Sequence, residues 1–437
     1  MGEIIETSKA IFNGELDSDK HHPFGKPYGI EQVAEGTWFY KGFSNTIIRE
    51  TDDGLIMVDP SSAFDIKYRL KAVSSVTEPR LNTAIFTHGH VDHAFGMKQY
   101  IEVAEERKWP RPRAIAHEAM PGRFARYLET GPFNEIINSR QFAGGDGRSL
   151  WPKDFYMPDI LYRDGMVISV GGVRAELHHD RGETDDATWV YFPDTRVLAT
   201  GDLFLWTLPN AGNPQKVQRY AKDWAIALRK MVAKEVEILC PGHGWVIFGA
   251  ENVRRALSET AELLETVYQQ TVEMMNKGAD LNTIVNTVRV PGELTSRPYL
   301  RPLYDEPEFL ARNIWRLLGG WYDGVPSNLK PAPLAEQGAE IARLAGGADK
   351  LAARALELSQ AGKHRLACHL ADWAKWAEPE DRVVAKTARQ VYTSRAENEN
   401  STMSKGIFMA AAREADGGIV EDKVMSGTSS IIRAQNS

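Results

Sequence analysis

In the first half of the chain, short apolar runs alternate with turns rich in Gly, Pro, Asn and Asp. Such runs, bounded by breakers, predict strands. "GTWFYKG" and "NTIIRETDDGLIMVDP" predict two or three, with a hairpin at Asp52-Asp53-Gly54. "NTAIFT" (82–87) and "RPRAIAHE" predict buried strands. "MVISVGGVRAELHH" turns at Gly171-Gly172, "TWVYFPDTRVLATGD" turns at Pro193-Asp194, and "VEILCPGHG" ends in a glycine-rich turn. Helical periodicity appears between them in "AFGMKQYIEVAEERK" and "DWAIALRKMVAKE". Strands and helices mixed this way predict an α/β sandwich of sheets with outer helices.

The pattern then changes to helix alone. "ENVRRALSETAELLETVYQQTVEMMNKG", "EPEFLARNIWRLLGGWYDG", "PLAEQGAEIARLAG", "ADKLAARALELSQAG" and "KHRLACHLADWAKWAEP" have apolar residues at helical spacing and close on glycine or proline. Their helix–Gly–helix rhythm is tetratricopeptide-like, without a clean repeat period. The expected division is an α/β domain over 1–260, an all-α domain over 261–400 and a polar tail over 401–437, ordered only against a partner.

Composition narrows the function. A hydrophobic fraction of 43% with 25% charged residues is that of an ordinary globular protein. A net charge of −7 argues against nucleic acid or an anionic membrane as partner. Cys240 and Cys368 are the only cysteines, so neither a disulfide framework nor a thiolate metal cage is expected. No apolar run is long enough to span a bilayer. The first residues show no basic-then-apolar signal pattern, so a cytoplasmic location is expected.

One stretch demands a different explanation. "THGHVDHAFG" places three histidines and one aspartate within positions 88–93. Histidine nitrogens and carboxylate oxygens are the usual zinc ligands where cysteine is absent. His88 and His90, two apart at a strand end, face the same side. Asp92 and His93 follow as the chain turns into a helix and face a second point. One loop thus offers two pairs of ligands, which suits two metals. Further strand ends carry acids or histidines beside glycine in "HHDRGETDD", "LATGD" and "CPGHG".

The order HxHxDH, then GET, then GD, then PGHG resembles the metallo-β-lactamase superfamily, whose fold is an αββα sandwich. The resemblance implies that His88 and His90 hold one metal, Asp92 and His93 the other, that Asp202 bridges both, and that His243 completes the second site. Glu183 stands where the superfamily usually has histidine. That departure resembles the alkyl sulfatase branch and makes Glu183 the third ligand of the first metal, with His179 or His178 as the alternative. "YLRPLYDEPEFLARNIWRLLGGWYDGVPSNLKPAP" and the helices after it resemble the alkyl sulfatase dimerisation domain, which implies a homodimer burying Trp315, Trp321, Tyr322, Trp373 and Trp376. Two features depart from that branch: the bridging position is Asp202 rather than glutamate, and "GDLFLWTLPNAGNPQKVQRY" lacks the expected histidines and arginine-glycine pair.

The implied activity is hydrolysis of a small-molecule sulfate ester by two Zn²⁺ per subunit. The metals would lower the pKa of a bridging water to about 7. The alternatives are hydrolysis of a carboxylic ester, lactone or amide on the same fold, or an iron redox enzyme. Three carboxylates and a hydroxide would neutralise two Zn²⁺, so an anionic substrate calls for an arginine nearby. Arg181, Arg219 and Arg140 are the candidates. His179 and Tyr220 are candidates for protonating the leaving group. Phe204 and Trp206, following Asp202, are candidates for the substrate wall, with core packing as the competing reading.

Overall fold

The computed structural model describes residues 2–142 and 151–415. The chain forms two compact units: Met1–Gly131 with Pro152–Trp321, and Pro132–Trp151 with Tyr322–Ser437.

The first unit holds two sheets. β1 (Gly29–Ala34), β2 (Thr37–Lys41), β3 (Thr46–Thr51), β4 (Gly54–Val58), β5 (Leu81–Ile85), β6 (Arg113–His117) and β7 (Ile160–Tyr162) lie side by side in chain order. The first four are antiparallel hairpins; β4 to β7 run parallel. The second sheet has the order β13-β12-β11-β10-β9-β8, from β8 (Gly165–Val170), β9 (Val173–His179), β10 (Thr188–Phe192), β11 (Val197–Ala199), β12 (Ile238–Cys240) and β13 (Ile247–Phe248). Only β11 and β12 are parallel there. The expected hairpins at 52–54, 171–172 and 193–194 all form.

Side-chain alternation makes these sheets a sandwich. Val190 and Phe192 of β10 share a core with Phe39, Ile47, Ile56, Val58 and Ile85 of the first sheet. Trp189 and Tyr191, on the other face of β10, pack with Leu239 against apolar stripes of the helices Ala221–Val232 and Ala250–Asn276. Position 260 lies in the middle of the latter helix, and the first unit continues to Trp321.

The second unit is helical. Leu334–Ala345, Ala348–Gln360, His364–Ala377 and Arg382–Glu397 pack through small residues, among them Ala355, Ala367, Ala371 and Ala388. The expected tail is different in part: Thr402–Ala415 is a helix that buries Met403, Met409, Ala410 and Ala412. Gly406 is there because a Cβ would lie 2.0 Å from the Gln141 carbonyl oxygen. The apolar "GIFMAAA" therefore finds its partner within the chain. The rest of that segment, 416–437, lies outside the described residues.

Strand direction decides where chemistry collects. β4 and β5 are parallel; β9 and β11 are both antiparallel to β10, and β12 is parallel to β11. The residues just past the C-terminal ends of these five strands are Asp59, His88, Glu183, Asp202 and His243.

Candidate metal centre

Two groups of potential ligands assemble here. His88, His90, Glu183 and Asp202 form one, and Asp92, His93 and His243 the other; within each group the ligand atoms lie within 4.8 Å of one another. Asp202 joins the two. Its Oδ2 is 3.6 Å from His88 Nε2 and 3.4 Å from His243 Nε2, and its Oδ1 is 3.3 Å from His93 Nε2. Asp92 Oδ2 lies 3.4 Å from His93 Nε2 and 3.3 Å from His243 Nε2.

Close backbone approach makes this convergence possible. The Gly242 N–H donates to Gly201 O at 2.9 Å. A Cβ on Gly242 would sit 2.2 Å from Asp202 Oδ1. Gly201 has φ +50°, and a Cβ there would strike the Thr87 side chain. Glycine is required at both positions.

Hydrogen bonds aim the rings. His93 Nδ1 donates to Asp59 Oδ2 at 2.8 Å, and His243 Nδ1 to the Phe43 carbonyl at 2.5 Å. Thr87 Oγ1 donates to Asp59 Oδ2 at 2.6 Å, so it accepts from His88 Nδ1 at 3.0 Å. These assignments leave Nε2 without its own proton on each neutral ring. Yet the Nε2 atoms of His93 and His243 face each other at 3.2 Å. Bare lone pairs aimed at one another repel unless a cation lies between them. Four donors around zinc at about 2.05 Å stand about 3.3 Å apart at the corners of a tetrahedron. The donor spacings match that edge.

The electrostatics agree. Burial opposes charge on His93 and His243, but Asp202 and Asp92 outweigh it, raising His93 well above the ordinary histidine value and His243 to about 9. Burial and the neighbouring His93 push His88 down to about 4. Burial opposes charge on Asp92 and Asp202 too, yet the histidines hold both well below the ordinary carboxylate value. Burial raises Glu183 to about 8 against the pull of Arg219, with Asp202 adding to the rise. Glu183 Oε2 and Asp202 Oδ1 are buried with no hydrogen-bond partner. This is a donor set short of positive charge, and divalent cations supply it.

The other sequence candidates separate into clear positions. Arg219 is buried, paired with Glu183 Oε1 and donating to Asn210 O at 2.6 Å. Arg181 is half exposed, paired with Asp223 at 2.6 Å and lying over the Tyr220 ring. Tyr220 is thus beneath Arg181 rather than in either ligand group. Arg140 belongs to the second unit and pairs with Glu414. His179 donates from Nδ1 to Ala187 O and stacks on His117; His178 stacks on Trp189. Neither His178 nor His179 joins a ligand group. Phe204 and Trp206 are fully buried in the core beneath the outer helices, with Trp206 Nε1 donating to Trp245 O.

Several contributors escaped the sequence reading. Asp59 directly follows β4. Its φ of +54° turns the carboxylate back over the sheet, where it also accepts the Thr87 N–H at 2.7 Å. Asp186 Oδ2 accepts the Gly89 N–H and Arg123 Nε, each at 3.0 Å, and braces the other side of the histidine loop. An acid directly after the apolar run "LIMV" was the available signal for Asp59. Lys216 is a further cation: burial and Arg219 press it down to about 7, against the pull of Asp92 and Glu183.

The family description "Metallo-beta-lactamase superfamily" matches residues 40–243, and "Alkyl sulfatase dimerisation" matches 280–418. A linear primary-alkylsulfatase of Pseudomonas sp. is 27% identical over 353 residues, which are 76% of this chain and 67% of that protein. An (R)-specific secondary-alkylsulfatase of Pseudomonas sp. is 22% identical, over 90% of this chain and 63% of its own length. This chain therefore spans about two thirds of the length of these relatives. The solved stereoselective inverting sec-alkylsulfatase Pisa1 from Pseudomonas sp. shares the fold with TM-score 0.80 and 22% identity, over 91% of this chain and 67% of that one. The ordered motifs, the sandwich and the two consecutive family matches together give this chain a metallo-beta-lactamase superfamily region over 40–243 followed by an alkyl sulfatase dimerisation region over 280–418.

Proposed function

We propose that the protein is a dinuclear zinc hydrolase of a small-molecule sulfate ester. The observation that carries this reading is Asp202, whose two oxygens stand 3.3 to 3.6 Å from histidine nitrogens of both ligand groups. A structural zinc site is closed and mononuclear; two groups sharing one carboxylate suit a catalytic pair. His88, His90 and Glu183 hold the first metal, Asp92, His93 and His243 the second, and Asp202 both. The relatives named as alkylsulfatases support sulfate over a carboxylic ester, lactone or amide.

Bound zinc supplies a hydroxide at neutral pH and polarises an ester oxygen. The chain's own residues do the rest. Asp59 and Thr87 keep His93 and His88 in the ligating tautomer. Arg219 and Asn210 occupy Glu183 Oε1 and leave Oε2 for ligation. Arg181, half exposed in its ion pair with Asp223, stands apart from both ligand groups.

Elemental analysis of the purified chain and a turnover panel of alkyl and aryl sulfates, lactones and β-lactams test this reading. Two zinc ions per chain with sulfate release support it. Iron in place of zinc, or lactone turnover without sulfate release, overturns it. A homodimer and a cytoplasmic location complete the proposal. The match to a dimerisation region and exposed apolar side chains such as Leu344 and Val383 support the dimer. Among the described residues no helix is long and apolar enough to cross a membrane. A monomer by light scattering overturns the dimer.

A further inference from the structure

The segment before β1 makes contacts that neither family match covers, since the first begins at residue 40. Phe24 is buried, 5% exposed, on the His243 side of the centre. Its ring meets His243 edge-on at 4.8 Å, Tyr304 edge-on at 5.3 Å and Phe43 at 5.1 Å between centroids. Tyr304 in turn lies close enough to the ligands to be driven upward, first by burial and then by the Glu183 charge. Phe43 is partly exposed, and its carbonyl is the group that holds His243. Phe24 thus backs an aromatic corner around a proposed metal ligand.

What keeps that segment in place is unusual. Lys41, at the end of β2, is wholly buried and has no carboxylate partner among the described residues. Its ammonium donates to Gly25 O at 2.5 Å and Pro23 O at 3.4 Å. It lies 4.3 Å from the Trp245 ring centre and 5.5 Å from that of Tyr28. Tyr28 donates its hydroxyl to Phe24 O at 2.8 Å, and Trp245 Nε1 donates to His21 O at 3.4 Å. A lysine buried without a counter-ion is costly, and burial alone lowers it to about 7. Carbonyls and ring faces offset that cost only while the segment stays down.

We propose that residues 17–28 form a strap across the His243 side of the metal centre, with Phe24 as the backing wall for a substrate's apolar group and Lys41 as the latch. The proposal rests on the dizinc reading for its ligand and adds a specificity element to it. An ester whose organic group is aromatic or branched packs on the Phe24–Phe43–Tyr304 corner; a methyl ester leaves it unfilled.

The zinc-loaded full chain is titrated calorimetrically with phenylphosphonate and methylphosphonate, anions that zinc ligates and hydrolysis does not consume. The wild type prefers the phenyl compound, and Phe24→Ala shrinks that preference about tenfold, the worth of part of a buried aromatic contact. An unchanged preference overturns the wall. Lys41→Met speeds tryptic cleavage after Lys20 about tenfold, because two strap carbonyls lose their donor. Cleavage at the wild-type rate overturns the latch. A chain that holds no zinc defeats the dizinc reading and the wall with it, while the cleavage rates still decide the latch.

Discussion

Replacing Asp59 by asparagine separates the orienting of the centre from its ligands. The carboxylate is 2% exposed and accepts three hydrogen bonds: Thr87 N–H at 2.7 Å, Thr87 Oγ–H at 2.6 Å and His93 Nδ1–H at 2.8 Å. Asparagine matches its shape and, like aspartate, tolerates the left-handed φ of 54°, so the backbone stays. Its Oδ1 still accepts from Thr87 N–H, but its NH₂ now faces His93 Nδ1 and Thr87 Oγ1. Thr87 rotates its hydroxyl to suit. His93 must move its proton to Nε2, the atom aimed at His243 and Asp202, and there it cannot ligate. One charge-assisted hydrogen bond is worth about 1.5–3 kcal/mol, and lost outer-shell partners typically weaken metal binding about tenfold to a hundredfold. The two figures agree. Competition with a chromophoric chelator should show one zinc weakened by that factor, the one held by Asp92, His93 and His243. The His88–His90–Glu183 zinc should be disturbed less, since Thr87 still accepts from His88. Wild-type affinity for both ions in Asp59→Asn would refute the tautomer argument.

Further outcomes follow from the same geometry. Glu183→Gln should cost the first zinc and also about 3–5 kcal/mol of folding stability, because Arg219 is left buried without its counter-ion; a chemical-denaturation midpoint equal to wild type contradicts this. Gly242→Ala should abolish turnover while leaving the second unit's helices intact by circular dichroism, since its Cβ would lie 2.2 Å from Asp202 Oδ1; an active variant would mean the close approach is slack. Lys41 has a folded pKa of about 7 against an ordinary 10.5, so the unfolded chain binds the extra proton between those values. Stability attributable to Lys41 therefore rises from pH 7 toward 10.5, by at most about 5 kcal/mol. The ring faces and carbonyls around the ammonium make the true figure smaller. The wild-type stability curve should climb over that window relative to Lys41→Met; parallel curves would refute the burial effect.

The parts of the fold that were legible are those whose signal is local. Period-two alternation and turn dipeptides located the strands, and dense ligand types within 88–93 located the centre. Orientation was legible only where a single rule governs it. His178 and His179 both follow an apolar run, yet adjacent strand residues point to opposite faces, so one stacks on Trp189 and the other on His117. Phe204 and Trp206 follow Asp202 in sequence, but the short 3₁₀ turn Gly201–Leu203 sends them under the outer helices. Asp59 and the strap escaped because their meaning is a long-range contact. Asp59 meets His93 across 34 positions, and His243 receives Phe24 from over 200 residues away. The packing of the helix Thr402–Ala415 escaped for the same reason: the surface that receives Gly406 comes from residues 140 and 141, far away in sequence.

Glu183 and Arg219 are best understood together. A glutamate where the superfamily usually has histidine adds a negative charge beside Asp202, at the buried side of the site. Alone it would compete with Asp202 for cations and weaken the pull on an anionic substrate. Arg219 sits against its outer oxygen, 3% exposed like Glu183 itself, and makes the two a neutral pair. With cations bound and Glu183 ionised, the pair would carry the same net charge as a neutral imidazole while still offering an oxygen ligand. Arg219, one of the arginines expected to face an anionic substrate, is instead committed to Glu183 and the Asn210 carbonyl.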